Sequence, residues 1–313
     1  MSFRLRRLLL TVLLGLTPWL LQAGTHEAPR PAMTLLQAAI LGVVEGVTEY
    51  LPVSSTGHLI LAQHVMGIGQ TADTSEAANA YAVCIQLGAI LAVMGLYFRR
   101  VRQMAEGCLG RNPEGLKLSL NLIVAFLPAA IIGLLLEERI KQYLFGGSDW
   151  GLWPIVGSWM LGGLIILVMD RYVIVPRQRE ARGVSIAGLS WKMALAIGFV
   201  QCLAMWPGTS RSLATILGGL FAGLSLGAAV EFSFLLGLIT LTASTVLDAA
   251  KYGPAMIQLY GWLSPLIGLL VAAVSATLAV RWMVGYLQKH PMSLFGYYRI
   301  LLAIGTAAVM LWK

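Results

Sequence analysis

Long apolar stretches alternate with short polar ones along this chain. Runs near the length that crosses a hydrocarbon core, about 20 residues, recur from Tyr81 to Phe98, Leu118 to Leu136, Leu152 to Met169, Ala228 to Leu247, Leu259 to Val280 and Leu294 to Trp312. None has the two-residue alternation of a lipid-facing strand, so each is predicted as a helix whose backbone groups pair within the segment. Two further elements, at about 35–66 and about 193–224, are too long for one span and too polar at the centre. Pro52 and Gly57 interrupt the first, Pro207 and Gly208 the second. Broken backbone at membrane depth persists only where protein or a wet cavity satisfies it. The expectation is an all-α polytopic membrane protein with about six transmembrane helices and two re-entrant helical hairpins whose tips meet near the midplane.

Composition supports the membrane as solvent: 58% of residues are hydrophobic and 12% charged, with mean hydropathy +0.78. The net charge of +8 would suit nucleic acid if it were concentrated on a soluble face. Instead, Arg99, Arg100, Arg102, Arg111 and Lys117 crowd one short loop and Arg171, Arg177, Arg179, Arg182 and Lys192 another, whereas Arg139 and Lys141 are balanced by Glu137 and Glu138. That is a positive-inside pattern with two cytoplasmic loops, and nucleic acid is not an expected partner. Cys84, Cys108 and Cys202 are scattered without metal-ligand spacing. Residues 1–30 read as a signal-like extension, in which Arg4, Arg6 and Arg7 precede the apolar run Leu8 to Leu21, either cleaved near Ala23 or kept as an anchor. Residues 31–313 read as a single membrane-embedded domain.

That domain is duplicated. Gly42-Val43-Val44-Glu45 pairs with Gly198-Phe199-Val200-Gln201, and Tyr50 with Trp206. With one residue of slip, Pro52 pairs with Pro207 and Ser54-Ser55-Thr56 with Thr209-Ser210-Arg211, while Leu87-Gly88-Ala89-Ile90 matches Leu236-Gly237-Leu238-Ile239 further on. Repeat one covers about 35–170 and repeat two about 191–313. Each holds one hairpin and three spans; three spans reverse the direction of the chain, so the repeats have inverted topology.

The hairpin tips carry the chemistry. Glu45 and Glu49, four apart, project from one helix face, and two carboxylates inside a membrane need a cation beside them. Arg211, or a divalent ion held by Glu45 and Glu49, supplies one. Gly208-Thr209-Ser210-Arg211-Ser212 precedes a helix, so free amides, hydroxyls and a guanidinium form a phosphate cradle. Ser54-Ser55-Thr56-Gly57-His58 sets nucleophilic hydroxyls within a turn of an imidazole. His64 is expected at an interface, and Glu231 either supports the site or caps its helix. So much acid, hydroxyl, imidazole and guanidinium favours an enzyme over its rival, a lipid-phosphate transporter or flippase, whose architecture also uses broken helices in inverted repeats. A serine protease would lack a triad acid.

Glu45-Gly46-Val47-Thr48-Glu49 with Leu51-Pro52-Val53-Ser54-Ser55-Thr56-Gly57-His58, and Trp206-Pro207-Gly208-Thr209-Ser210-Arg211-Ser212 with Thr215, closely resemble the bacterial undecaprenyl-diphosphate phosphatase, or bacitracin-resistance, family. The likeness runs through Gln86-Leu87-Gly88 and Glu231-Phe232-Ser233-Phe234 to the C-terminus. It implies hydrolysis of undecaprenyl diphosphate to undecaprenyl phosphate on the outer face of the bacterial cytoplasmic membrane, recycling the carrier lipid for peptidoglycan synthesis and conferring bacitracin resistance. It further implies a divalent cation, Mg²⁺ or Ca²⁺, and allows a homodimer. Its acidic motif falls on Glu45 and Glu49, its hydroxyl and histidine motif on Ser54, Ser55, Thr56 and His58, and its second motif on Pro207, Gly208, Ser210, Arg211 and Thr215. The mechanism expected from these is a phosphate gripped by Arg211, Thr209, Ser212 and their neighbours, with Ser55 as nucleophile and His58 as its base, or water in place of Ser55.

Overall fold

The computed structural model describes residues 33–69, 72–140, 152–176 and 182–312. The signal-like extension, Lys141, Arg177 and Arg179 lie outside them, and with them the expectations made there. The described residues form eleven helices and no strand. In chain order they are α1 (Leu35–Thr48), α2 (Ser55–Val65), α3 (Ala72–Leu96), α4 (Phe98–Cys108), α5 (Pro113–Ile140), α6 (Trp153–Met169), α7 (Trp191–Gln201), α8 (Arg211–Phe221), α9 (Leu226–Tyr260), α10 (Leu263–Leu287) and α11 (Ser293–Trp312). Six are long and apolar enough to cross a membrane: α3, α5, α6, α9, α10 and α11. The protein is a multi-pass membrane protein.

Local sequence explains the hairpins. Thr34 and Gln37 form a capping box that starts α1, and Pro52 lies in the turn that separates α1 from α2. Gln37 donates from Nε2 to the Met66 carbonyl at 3.3 Å, closing the open end of the hairpin. In the second hairpin α7 tightens into a 3₁₀ turn over Cys202–Met205 before Trp206-Pro207-Gly208 breaks it. α1 packs on α2, and α7 on α8.

Packing between the repeats follows a pseudo-twofold. The first spans, α3 and α9, pack on each other, as do the third spans, α6 and α11; each hairpin packs on the middle span of the other repeat, α1 on α10 and α7 on α5. Small residues permit those last two contacts. A Cβ on Gly42 would strike the Gly268 carbonyl, and one on Gly198, its repeat counterpart, the Ala125 carbonyl. Gly46 faces Ser275 and Ala272 just as closely.

Several span boundaries differ from expectation: α3 starts at Ala72 rather than Tyr81, α5 runs from Pro113 to Ile140 rather than Leu118 to Leu136, and α10 ends at Leu287 rather than Val280. α9 was expected to end near Leu247 but runs 35 residues, about 52 Å, because one face of its last turns is anchored in a layer where Tyr260 meets Tyr81 edge-on at 5.9 Å and Met256 joins Met33 and Leu41. Gly261, at φ 67°, then stops it, which moves the start of the next span from Leu259 to Leu263. The two basic loops lie together: Lys117 Nζ donates to the Ala187 carbonyl at 2.8 Å.

Candidate active site

Both hairpin tips turn on a serine in the left-handed half of backbone space. Ser54 has φ 77°, ψ 98° and Ser210 φ 76°, ψ 115°, and among the described residues no other non-glycine has positive φ. Such a conformation costs on the order of 1–3 kcal/mol and persists only where neighbours over-determine it. Each serine caps the helix that follows: Ser54 Oγ accepts from Gly57 N–H and Ser210 Oγ from Leu213 N–H. Gly42, Glu45, Tyr50, Ser54 and Ser55 thus correspond to Gly198, Gln201, Trp206, Ser210 and Arg211 at a constant separation of 156 residues. The one-residue slip expected from matching Pro52 to Pro207 is corrected: Ser55, not Thr56, is the counterpart of Arg211.

Those two counterparts meet on one carboxylate. Ser55 Oγ donates to Glu49 Oε2, and Arg211 Nη2 donates to Glu49 Oε1 at 3.1 Å. Arg211 Nη1 also donates to the Ser233 carbonyl at 3.0 Å, and the guanidinium lies over the Tyr50 ring at 5.2 Å. Gly237 makes room for it, since a Cβ there would strike the guanidinium. Glu45, one turn before Glu49, is wholly buried, and neither of its oxygens has a hydrogen-bond partner. Its repeat counterpart Gln201 is buried with both amide atoms equally unpartnered.

A second arginine joins the tips from behind. Arg299, fully buried in α11, donates from Nη1 to the Pro52 carbonyl at 3.3 Å and from Nη2 to the carbonyls of Ser158 at 2.8 Å and Gly208 at 3.0 Å. Gly162 accommodates it as Gly237 does Arg211. Sequence reasoning passed over Arg299, although a lone arginine inside an apolar span is itself a functional signal. Ser212 ties the tips again, Oγ donating to the Leu51 carbonyl at 2.8 Å.

The histidine sits elsewhere than expected. His58 Nδ1 is 2.6 Å from the Ser54 carbonyl and Nε2 is 2.7 Å from the Tyr298 hydroxyl, with the two rings stacked. A carbonyl only accepts, so in the neutral ring Nδ1 carries the hydrogen and Nε2 accepts from Tyr298. Ser55 is bonded to Glu49 instead. The reason is helical geometry: His58 is engaged with the cap residue four positions back, not with Ser55 three back.

Between the tips lies a cavity of about 110 Å³, lined by Glu49, Ser54, Ser55, Thr56, Gly208, Ser210 and Arg211, with Gln86 of α3, Ala204, Trp206, Pro207 and Leu241 of α9 completing the wall. Two helix N-termini, of α2 and α8, therefore border one space, an arrangement suited to anions. Five expected site residues are absent from that wall. Glu45 and Ser212 are fully buried, Thr215 Oγ1 is bonded to Ser233 Oγ at 2.6 Å, His58 faces Tyr298, and Thr209 lies outside. Glu231 neither supports the site nor caps α9: Ser225 is the cap, and Glu231 pairs with Arg100 at 2.6 Å. His64 is exposed near the end of α2.

Inverted repeats whose broken helices bury carboxylates, hydroxyls and a guanidinium around a small anion-sized cavity define a class of membrane-embedded phosphate-handling proteins. Residues 38–305 match the family model described as bacitracin resistance protein BacA. A Sorangium cellulosum protein named undecaprenyl-diphosphatase is 42% identical over 282 residues, covering 90% of this chain and 86% of its own length. The undecaprenyl-diphosphatase of Methylococcus capsulatus is 44% identical over 269 residues, 85% of this chain and 91% of its own. Undecaprenyl-diphosphatase 2 of Rhodospirillum rubrum is 42% identical over 268 residues with the same coverage. The chain belongs to the bacitracin resistance protein BacA family.

Proposed function

We propose that this chain hydrolyses undecaprenyl diphosphate to undecaprenyl phosphate and inorganic phosphate, returning the lipid carrier to peptidoglycan synthesis and conferring bacitracin resistance. The observation that carries the reading is the Ser55–Glu49–Arg211 constellation at the junction of two helix N-termini. A diphosphate entering the cavity draws Arg211 from Glu49, and the freed carboxylate takes the Ser55 proton. Ser55 Oγ attacks the terminal phosphorus, the bond to the bridging oxygen breaks, and undecaprenyl phosphate departs with the bonding electrons. Glu49 passes its proton to the departing phosphate, then takes one from the water that attacks the phosphoserine and returns it to Ser55 Oγ. Arg211 and the amides opening α2 and α8 stabilise the charge that gathers on the phosphoryl oxygens. His58, held by Tyr298, fixes the Ser54 carbonyl and with it the tip that presents Ser55.

The donor set fits a hard divalent cation. Glu45 offers two buried, unpartnered oxygens one helical turn from Glu49, and Mg²⁺ commonly binds through one or two carboxylates, substrate phosphates and water. When bound, Mg²⁺ or Ca²⁺ would neutralise diphosphate charge beside those residues.

An opening toward the outer side of the cytoplasmic membrane is supported by charge and depth. The basic loops gather at one end, where Lys117 meets Ala187. Ser158, whose carbonyl holds Arg299, is five residues from the opposite end of α6, about 8 Å along the helix. Phosphate release from undecaprenyl diphosphate by the purified protein in detergent tests the function. Wild type turns over and Glu49→Gln, Ser55→Ala and Arg211→Ala each fall at least about 100-fold; wild-type protein releasing no phosphate would end the proposal. Trapped phosphoserine at position 55 is the expected intermediate, and solvent oxygen delivered in one inverting step would exclude it.

A further inference from the structure

A cavity of about 110 Å³ is well below the several hundred Å³ that enclose a drug-sized ligand. It has room for a diphosphate head and none for the chain attached to it. That chain must therefore leave the cavity across one of the wall residues; Thr56 and Trp206 are the two that are also exposed, and of these Trp206 is the apolar one. Its side chain lines the cavity yet is 48% exposed. It continues outward as an apolar stripe at helical spacing through Leu203 and Phe199, both more than half exposed, on the surface of the second hairpin.

Exposed apolar side chains are ordinary where a protein meets lipid. Trp206 differs in two respects. The indole Nε1 donates to the Pro154 carbonyl at 3.3 Å, which fixes the ring plane against the start of α6. The neighbouring Pro207-Gly208 is pinned in turn, because Arg299 holds the Gly208 carbonyl and Gly208 abuts Ile155 and Ser158. The indole is thus a rigid apolar plate at the mouth of a polar cavity. Opposite it in the repeat, Tyr50 is fully buried under Phe234 at 5.2 Å. Of the two equivalent aromatic positions, one is sealed into protein and the other opens to lipid.

We infer that Trp206 seats the isoprene units next to the diphosphate and is the residue that makes this site prefer a prenyl-linked substrate. The inference rests on the proposed phosphatase reading and extends it from the head group to the chain. Only the first units can reach the plate, so its contribution grows with chain length over those units and then stops growing.

The test compares wild type, Trp206→Ala and Trp206→Phe on isopentenyl, farnesyl and undecaprenyl diphosphate in one detergent, with poorly hydrolysed members read as competitive inhibitors. For Trp206→Ala the expected loss in kcat/KM, relative to wild type, is about tenfold on the C15 and C55 substrates, carried by KM, and less than about twofold on the C5 compound. Trp206→Phe, which keeps an apolar plate but not the Pro154 hydrogen bond, stays within about threefold of wild type on all three. An equal loss on every chain length would mean that Trp206 merely shapes the tip, and no loss on any would mean that the chain leaves by another route; either overturns the inference while leaving the phosphatase reading intact. Absence of turnover in wild type would instead remove the reading on which it rests.

Discussion

Arg299 offers the sharpest test of how the site is assembled, because it touches both hairpin tips without itself lining the cavity. Its guanidinium makes two short hydrogen bonds, to Ser158 and Gly208, and one longer, to Pro52. Bonds from a charged donor contribute about 1.5–3 kcal/mol each, so the gross support of the three is on the order of 4.5–9 kcal/mol. Burying the cation without a carboxylate offsets several kcal/mol of that. Replacing Arg299 by Met should therefore lower stability by only about 1–3 kcal/mol, through three carbonyls left without their donor. The effect on turnover should be larger: the bonds fix the tip bearing Ser55 relative to the tip bearing Arg211, and a misplacement of about 1 Å costs on the order of 100-fold. Thermal unfolding in detergent and phosphate release on the same preparation separate the two quantities. Arg299→Met is expected to melt a few degrees lower, about 2–6 °C, with kcat down about 100-fold and KM within about threefold. Arg299→Lys, a point donor unable to span three carbonyls, should recover the melting temperature and not kcat. Either variant keeping kcat within about twofold of wild type would refute the claim that this residue registers the tips.

If Ser55 and Glu49 act as one unit, Ser55→Ala, Glu49→Gln and the double variant should lose kcat to within about fivefold of one another, and losses that multiply would show independent roles. Dialysis against a chelator should abolish phosphate release, Mg²⁺ or Ca²⁺ should restore it, and Glu45→Gln should raise the half-activating metal concentration by about tenfold or more, as read by metal titration; full activity in chelator would remove the cation from the reaction. Gly46→Leu should destabilise the protein by at least about 2 kcal/mol by forcing α1 off Ser275 and Ala272, whereas Gly95→Leu, at a position open to lipid, should not. Melting curves and monodispersity on gel filtration check this pair, and equal behaviour of the two would contradict the close α1–α10 packing.

The architecture was readable because its signals are one-dimensional. Apolar run length fixes a span, and a proline or glycine beside hydroxyls at mid-run fixes a break, so the existence and order of all six spans and both hairpins were foreseen, though several ends were not. Boundaries failed where tertiary packing prolongs a helix past the apolar run, as for the last turns of α9 against Tyr81. The site was legible in composition and less so in partnership. Glu49, Ser55 and Arg211 were named from their types, yet nothing in the spacing Ser54-Ser55-Thr56-Gly57-His58 reveals that the imidazole turns toward Tyr298, 240 residues away. Ser212 and Thr215 resemble phosphate ligands in sequence because hydroxyls serve equally well as packing bonds: Ser212 bonds Leu51 of the other tip and Thr215 bonds Ser233 of α9. Matching Pro52 to Pro207 misled the repeat alignment by one residue, since a turn-forming proline tolerates a shift that a strained cap residue does not.

That constant register bears on how one duplicated backbone came to hold an asymmetric site. Ser54 and Ser210 adopt nearly the same unfavourable backbone, and neither tip secures itself alone. Ser212 of the second tip bonds Leu51 of the first, Glu49 of the first bonds Arg211 of the second, and Arg299 bonds both. The strain in each half is therefore held by the other, which explains why two re-entrant hairpins are present rather than one. With the backbone shared, the residue after each cap became free to differ: Ser55 in one repeat supplies a hydroxyl and Arg211 in the other a guanidinium, delivered to opposite oxygens of a single carboxylate. Glu45 and Gln201 diverged in the same way, the charge surviving only on the side where Glu49 makes a pair. An inverted repeat of this kind brings two different side chains to one point by the same fold, while the helix N-termini that face the cavity are what the halves share.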